Sequence, residues 1–214
     1  MKKQLANSES SRTMKNGNIN SLPGAVFLDR DGTVNHDKGY ISRPEDFNIY
    51  PYAGKAIKML NDLRMLVFIV TNQSGVARGY YTLDDLDKIH SRMKEQLAEQ
   101  GASIDGIYIS PYFSEGTVDP YVVDHEDRKP NLGLFKKARR EFSFSPKDSF
   151  MIGDRYSDIV FGKRAGLTTI LVLTGDGEKE FLNNRKDWEY SPDYIVRDLL
   201  VAAKFIKTGR YCLR

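Results

Sequence analysis

Two carboxylates, Asp29 and Asp31, stand one residue apart where the apolar run "AVFLD" (25–29) ends, and Asp37 follows shortly after. Carboxylates ~4 Å apart repel by about 4 kcal/mol at an effective dielectric of about 20. Such a pair calls for a shared proton or a divalent cation. Thr71 and Asn72 close a second apolar run, "LVFIVTN" (66–72), and Asp154 closes a later one, "SFMIGD" (149–154). Lys129 stands in "DRKPN", just before a helix start. Singly, each has an ordinary explanation as a turn former, strand end or solvated charge. Together they make chemical sense. Carboxylates with water fill the shell of Mg²⁺, a hydroxyl and an ammonium suit phosphoryl oxygens, and an aspartate can itself attack phosphorus.

These residues share a cleft only if the elements bring their ends together. Apolar runs at 25–29, 66–72, 105–110, 149–154, 168–174 and 193–196 read as strands, several apolar throughout as in a sheet covered on both faces. Between them, helical spacing marks 53–64, 82–101, 131–142, 156–165 and 197–207. Thr82 and Asp85 predict a capping box on the second of these helices, and Asn131 a cap on the third. Alternating strands and helices predict an α/β fold with a doubly wound parallel sheet, whose ligands sit beyond the carboxyl ends of the strands. Asp29, Asp31, Thr71, Asn72, Asp154 and Lys129 all stand at such an end or at a helix entrance.

The chain has 214 residues, 40% hydrophobic and 29% charged, enough for one domain with a packed core. A net charge of +3, without a basic block, gives no support to nucleic-acid binding. The lone cysteine, Cys212, excludes an intrachain disulfide and a cysteine metal cluster. No apolar run is long enough for a membrane span, and residues 1–22 form a polar tail without the apolar core of a signal peptide. A cytoplasmic monomer is expected, with residues 23–214 as the folded domain.

"FLDRDGTVN", "VTNQSG", "RKPN" and "IGDRYSD" resemble, in order, the four motifs of the haloacid dehalogenase superfamily of phosphatases. The resemblance implies a Rossmann-like core and an aspartyl-phosphate mechanism. By it, Asp29 is the nucleophile, and Asp31 the general acid and then base. Thr71 and Lys129 steady the phosphoryl group, and Mg²⁺ is held by Asp29, the Asp31 main-chain carbonyl and Asp154. Asp158 either orients the metal shell or is a surface carboxylate. The stretches 32–52 and 111–128 are too short to house a cap domain.

"LDRDGTVNHDKGY", "TNQSGVARGYY" and "DRKPNLGLF" look, more narrowly, like the heptose bisphosphate and histidinol-phosphate phosphatases of that superfamily. This likeness implies substrate contacts from Asp37, Lys38, Gly39, Tyr40, Thr71, Asn72, Gln73, Ser74, Arg128, Lys129 and Arg155; Arg78 is a further candidate. Members of this subfamily commonly carry a zinc loop, Cys-x-His followed by Cys-x-Cys. Here the matching positions hold Ser110, Tyr112, His125 and Asp127, without a thiolate. No structural zinc is expected, and packing of Tyr112, Phe113 and Tyr121 would order the loop.

The expectation is therefore Mg²⁺-dependent hydrolysis of a small phosphorylated substrate, a sugar phosphate such as a heptose bisphosphate. Histidinol phosphate, another small phosphomonoester and a nucleic-acid end phosphate are the alternatives within that chemistry. A non-catalytic binding module is the alternative outside it. Such a module would have no chemical need for Asp29, Asp31, Thr71, Lys129 and Asp154 together.

Overall fold

The computed structural model of the chain describes residues 22–209; the 1–22 tail except Leu22, and Cys212, lie outside the described residues. Six strands form one sheet: β1 (Ala25–Leu28), β2 (Leu66–Asn72), β3 (Gly106–Ser110), β4 (Phe150–Gly153), β5 (Thr168–Val172) and β6 (Tyr194–Val196). All neighbouring pairs run parallel, in the order β3-β2-β1-β4-β5-β6. The helices are α1 (Ala53–Asp62), α2 (Leu83–Glu99), α3 (Gly133–Glu141), α4 (Tyr156–Arg164), α5 (Gly177–Asn184) and α6 (Leu199–Thr208). The doubly wound α/β fold expected from the sequence is present, and among the described residues no cap domain interrupts it. α5 is an element the sequence pattern missed.

β1 is central, and side-chain alternation along it feeds two cores. Val26 and Leu28 face the cluster that α1 and α6 complete through Ile57, Leu60, Ala203 and Ile206. Ala25 and Phe27 face the other, with Phe68, Leu134, Phe144 and Phe161. The Phe27 ring lies 5.2–6.3 Å from those of Phe68, Phe135, Phe144 and Phe161. Truncating it to Ala would cost about 3–5 kcal/mol. The strand under the candidate site is thus pinned from both faces.

Thr82 and Asp85 form the expected capping box of α2, with Leu86, Ile89, Met93 and Leu97 on its buried face. Asn131 does not cap α3. The helix begins at Gly133, whose N–H donates to Glu126 O at 2.7 Å, and the Asn131 amide instead donates to His125 O. Chain order reverses between β1 and β4, where a doubly wound sheet opens its crevice. Asp29 follows β1 and Asp154 follows β4, so they flank that crevice.

Candidate active site

β1 ends at Leu28, yet the Asp29 N–H still donates to Ile152 O on β4 at 2.9 Å, which fixes the Asp29 backbone beside the Asp154 strand. The chain then turns sharply: Arg30 O accepts from the N–H groups of Val34 and Asn35. Gly32 sits at φ +81°, and a Cβ there would meet Asp154 Oδ2 at 2.2 Å. Only glycine lets this turn press against Asp154. At the end of β4, a Cβ on Gly153 would meet Asp158 Oδ2 at 2.1 Å.

Asp29, Asp154 and Asp158 each bring a carboxylate oxygen within 4.8 Å of the others, and all three are buried. Lys129, also buried, reaches in from the loop that precedes α3. Its Nζ lies 2.6 Å from Asp29 Oδ1, 2.7 Å from Asp158 Oδ1 and 2.7 Å from Val70 O. Asn72 staples the lysine's backbone to β2, donating to Lys129 O at 3.0 Å and accepting from Lys129 N at 2.9 Å. Three carboxylates against one ammonium leave net negative charge. Burial pushes Asp29 up to about 7, opposed by Lys129. Burial, then Asp29 and Asp158, raise Asp154 well above its ordinary range. Buried oxygens short of positive charge are the donor set of a hard divalent cation. Asp158, 1% exposed, is no surface carboxylate; its Oδ2 also accepts from Arg155 N at 3.1 Å.

Asp31 points elsewhere. Arg30 Nη2 lies 2.7 Å from its Oδ2 and 3.0 Å from its Oδ1, while Asn35 and Gln73 donate to it at 2.9 and 2.8 Å. Burial works against its charge, but Arg30 and these donors outweigh it and hold Asp31 below the usual carboxylate range. The repulsion expected from the Asp29–Asp31 spacing is thus met by separate cations, Lys129 and Arg30. The uncompensated charge collects on Asp29, Asp154 and Asp158 instead.

A cleft of about 860 Å³ opens over these groups. Among the residues expected at substrate, Asp37, Gly39, Tyr40, Thr71, Asn72, Gln73, Ser74, Arg128, Lys129 and Arg155 line it. Lys38 does not; its ammonium turns to Asp46 O at 3.4 Å. Arg155 is ion-paired with Asp176 and Asp37, at 2.7 and 3.2 Å. Arg78 and Arg128 behave differently: their guanidinium carbons lie 4.2 and 4.9 Å from the Phe113 ring centroid, and neither has a carboxylate partner among the described residues. Burial and the nearby Arg78 charge lower the Arg128 pKa.

No motif or periodicity marks the wall made by α5 and the turn after it. Trp188 stacks on Tyr156 at 4.7 Å and 13°, and both line the cleft with Glu180, Asn184 and Asp187.

The loop over 111–127 is held by organic contacts. Tyr112 stacks on His125 at 3.8 Å, and Phe113 N–H donates to Tyr121 O. His125 Nδ1 accepts from Asp127 N, and the Asp127 carboxylate is 2.5 Å from Lys137 Nζ. A nitrogen and a carboxylate already engaged, with a buried serine and a tyrosine, do not make a zinc donor set.

A Rossmann-like crevice holding a buried carboxylate triad and an invading lysine defines a class of phosphoryl-transfer proteins, and the comparisons agree. A family model described as "Polynucleotide kinase 3 phosphatase" matches residues 25–164, and one described as "HAD-hyrolase-like" matches 127–202. A D-glycero-D-manno-heptose-1,7-bisphosphate 7-phosphatase from Thermosynechococcus vestitus is 39% identical over 188 residues, covering 86% of this chain and 95% of its own. The D-glycero-beta-D-manno-heptose-1,7-bisphosphate 7-phosphatase of Pasteurella multocida is 36% identical over 184 residues, covering 86% and 96%. The crystal structure of D,D-heptose 1,7-bisphosphate phosphatase from B. bronchiseptica, complexed with magnesium and phosphate, superposes with a TM-score of 0.75 at 28% identity, covering 86% and 98%. The chain belongs to the haloacid dehalogenase-like phosphatase family.

Proposed function

We propose that this chain is a Mg²⁺-dependent phosphatase that removes the 7-phosphate of D-glycero-D-manno-heptose 1,7-bisphosphate. The observation that carries the reading is the buried Asp29–Lys129–Asp158 chain beside Asp154, in a cleft that is also lined by two guanidiniums without carboxylate partners among the described residues. Asp29, Asp154 and the Asp31 carbonyl would hold Mg²⁺, which supplies charge neutralisation for the phosphate oxygens and lowers the Asp29 pKa.

Lys129 holds Asp29 through Oδ1, and among the described residues no donor occupies Oδ2, so that oxygen attacks phosphorus. As the ester P–O bond breaks, the departing alkoxide takes the proton of Asp31. Arg30 and its neighbours hold Asp31 below the usual carboxylate range in the free protein, so it takes that proton from solvent as the incoming phosphate charge raises its pKa. In the second half, water attacks the aspartyl-phosphate and gives its proton back to Asp31. Breaking the bond to Asp29 releases phosphate. Thr71 and Lys129 stabilise the transferring group by position and charge. Arg78 and Arg128 suit the second phosphate of a bisphosphate.

The match to the polynucleotide 3′-phosphatase model favours one other reading, a 3′-phosphorylated nucleic-acid end. A panel assayed with Mg²⁺ separates them: heptose 1,7-bisphosphate, heptose 7-phosphate, histidinol phosphate and a 3′-phosphorylated oligonucleotide, ranked by kcat/KM. The bisphosphate should rank first and lose its lead over the 7-phosphate in Arg128→Ala. An oligonucleotide or histidinol phosphate at the top would overturn the assignment.

A further inference from the structure

His90 does not line the active cleft, yet it touches the residue that holds Asp31. Arg30, 1% exposed, is a large side chain carried fully into the interior. Its Nη2 and Nε face the Asp31 carboxylate, its Nη2 also donates to Gln73 Oε1 at 3.1 Å, and its Nη1 lies 3.2 Å from His90 Nε2. A guanidinium only donates, so His90 Nε2 accepts, and the ring carries its proton on Nδ1. Burial and the Arg30 charge hold the histidine down at about 3, so it stays an acceptor at physiological pH.

The guanidinium is a rigid planar fork. Fixing Nη1 therefore fixes the direction of Nη2 and Nε. His90 sits on α2 beside Ile89, whose side chain is in the core, so the acceptor is anchored by a capped 17-residue helix. A second brace supports the same carboxylate: Tyr81 donates to Gln73 Oε1 at 2.7 Å, and Gln73 Nε2 donates to Asp31 at 2.8 Å and to Thr71 Oγ1 at 2.8 Å.

We propose that His90 is a positioning residue: through Arg30 it sets where the Asp31 carboxyl stands, and hence how well Asp31 delivers its proton to the leaving oxygen. The inference rests on the proton-carrying role proposed for Asp31 and reaches one shell further out, to a helix that contributes no group to the reacting centre.

The test uses the leaving group. kcat/KM reports steps up to departure of the first product, and p-nitrophenolate departs without needing a proton, whereas a sugar alkoxide needs one. His90→Leu removes the acceptor, and it should lower kcat/KM for the sugar phosphate about tenfold or more while p-nitrophenyl phosphate changes less than about twofold, within the range of general-acid help. His90→Gln, whose amide oxygen can accept from Arg30, should restore most of the loss. If His90→Leu does not fold, His90→Ala removes the same acceptor. Equal losses on both substrates, or no loss on either, would overturn the proposal. Asp31→Asn, assayed alongside, separates the two levels. Without a leaving-group contrast there, the general-acid reading fails and takes this inference with it. A contrast in Asp31→Asn but not in His90→Leu sinks the inference alone.

Discussion

Lys129 Nζ and Asp29 Oδ1 lie 2.6 Å apart, from residues 100 positions distant in the chain, with both side chains buried. The lysine also spans to Asp158, so one ammonium holds two of the three carboxylates. Removing it leaves buried like charges with no cation.

Lys129→Met should therefore act on both stability and rate. Breaking a buried ion pair from one side costs about 3–5 kcal/mol. Part of that loss should return on adding Mg²⁺, which supplies the missing charge. For turnover, kcat should fall far more than KM rises, because the ammonium matters most where phosphoryl charge develops. Denaturant unfolding with and without Mg²⁺, and steady-state kinetics, check both. A variant with normal stability and only a raised KM would contradict the placement of Lys129.

The carboxylate triad predicts how Mg²⁺ binding depends on pH. Asp29 is raised to about 7 and Asp154 is raised well above its ordinary range, while an unfolded aspartate titrates near 3.9. Between those values the folded chain binds more protons than the unfolded one. These two groups thus stabilise the metal-free protein below the unfolded pKa and lose that contribution as pH rises through the folded one. Mg²⁺ competes with the same protons. Its effect on Tm should be small at pH 5 and grow toward pH 8. A Mg²⁺-induced shift that does not vary with pH would place the ion elsewhere.

Much of this was legible before the structure. β1, β2, β4 and β5 are buried on both faces, so their apolar runs stood out, and the fold rule then put Asp29, Thr71 and Asp154 in one crevice. Asp158 was undecided because its burial depends on Lys129, which arrives from another part of the chain. Arg30 carries no sequence signal of its own, because one of its buried partners, His90, lies 60 residues away. α5, "GEKEFLNN", is eight residues long with only Phe181 and Leu182 as large apolar groups, too little periodicity to announce a helix. The cleft wall around Trp188 was invisible for the same reason.

The loop over 111–127 should keep its order without metal. Tyr112 stacks on His125, and Asp127 is paired with Lys137, so the side chains at these expected zinc-loop positions are engaged with one another and with their neighbours. Elemental analysis should find no stoichiometric zinc, and a zinc-selective chelator with Mg²⁺ in excess should leave Tm unchanged. About one zinc per chain surviving dialysis would contradict this. Tyr112→Ala should loosen the loop and raise KM, with a smaller effect on kcat.

The central claim is that Asp29 carries the phosphoryl group. The measurement is a rapid acid quench of a single turnover with substrate labelled in the scissile phosphate, followed by peptide mapping. Label should appear transiently on the peptide containing Asp29 and be absent in Asp29→Asn, which should not turn over. It should approach one equivalent in Asp31→Asn with labelled p-nitrophenyl phosphate, whose leaving group needs no proton, so that only the second step is slowed. Label on another residue, or turnover by Asp29→Asn at the unsubstituted rate, would contradict the account.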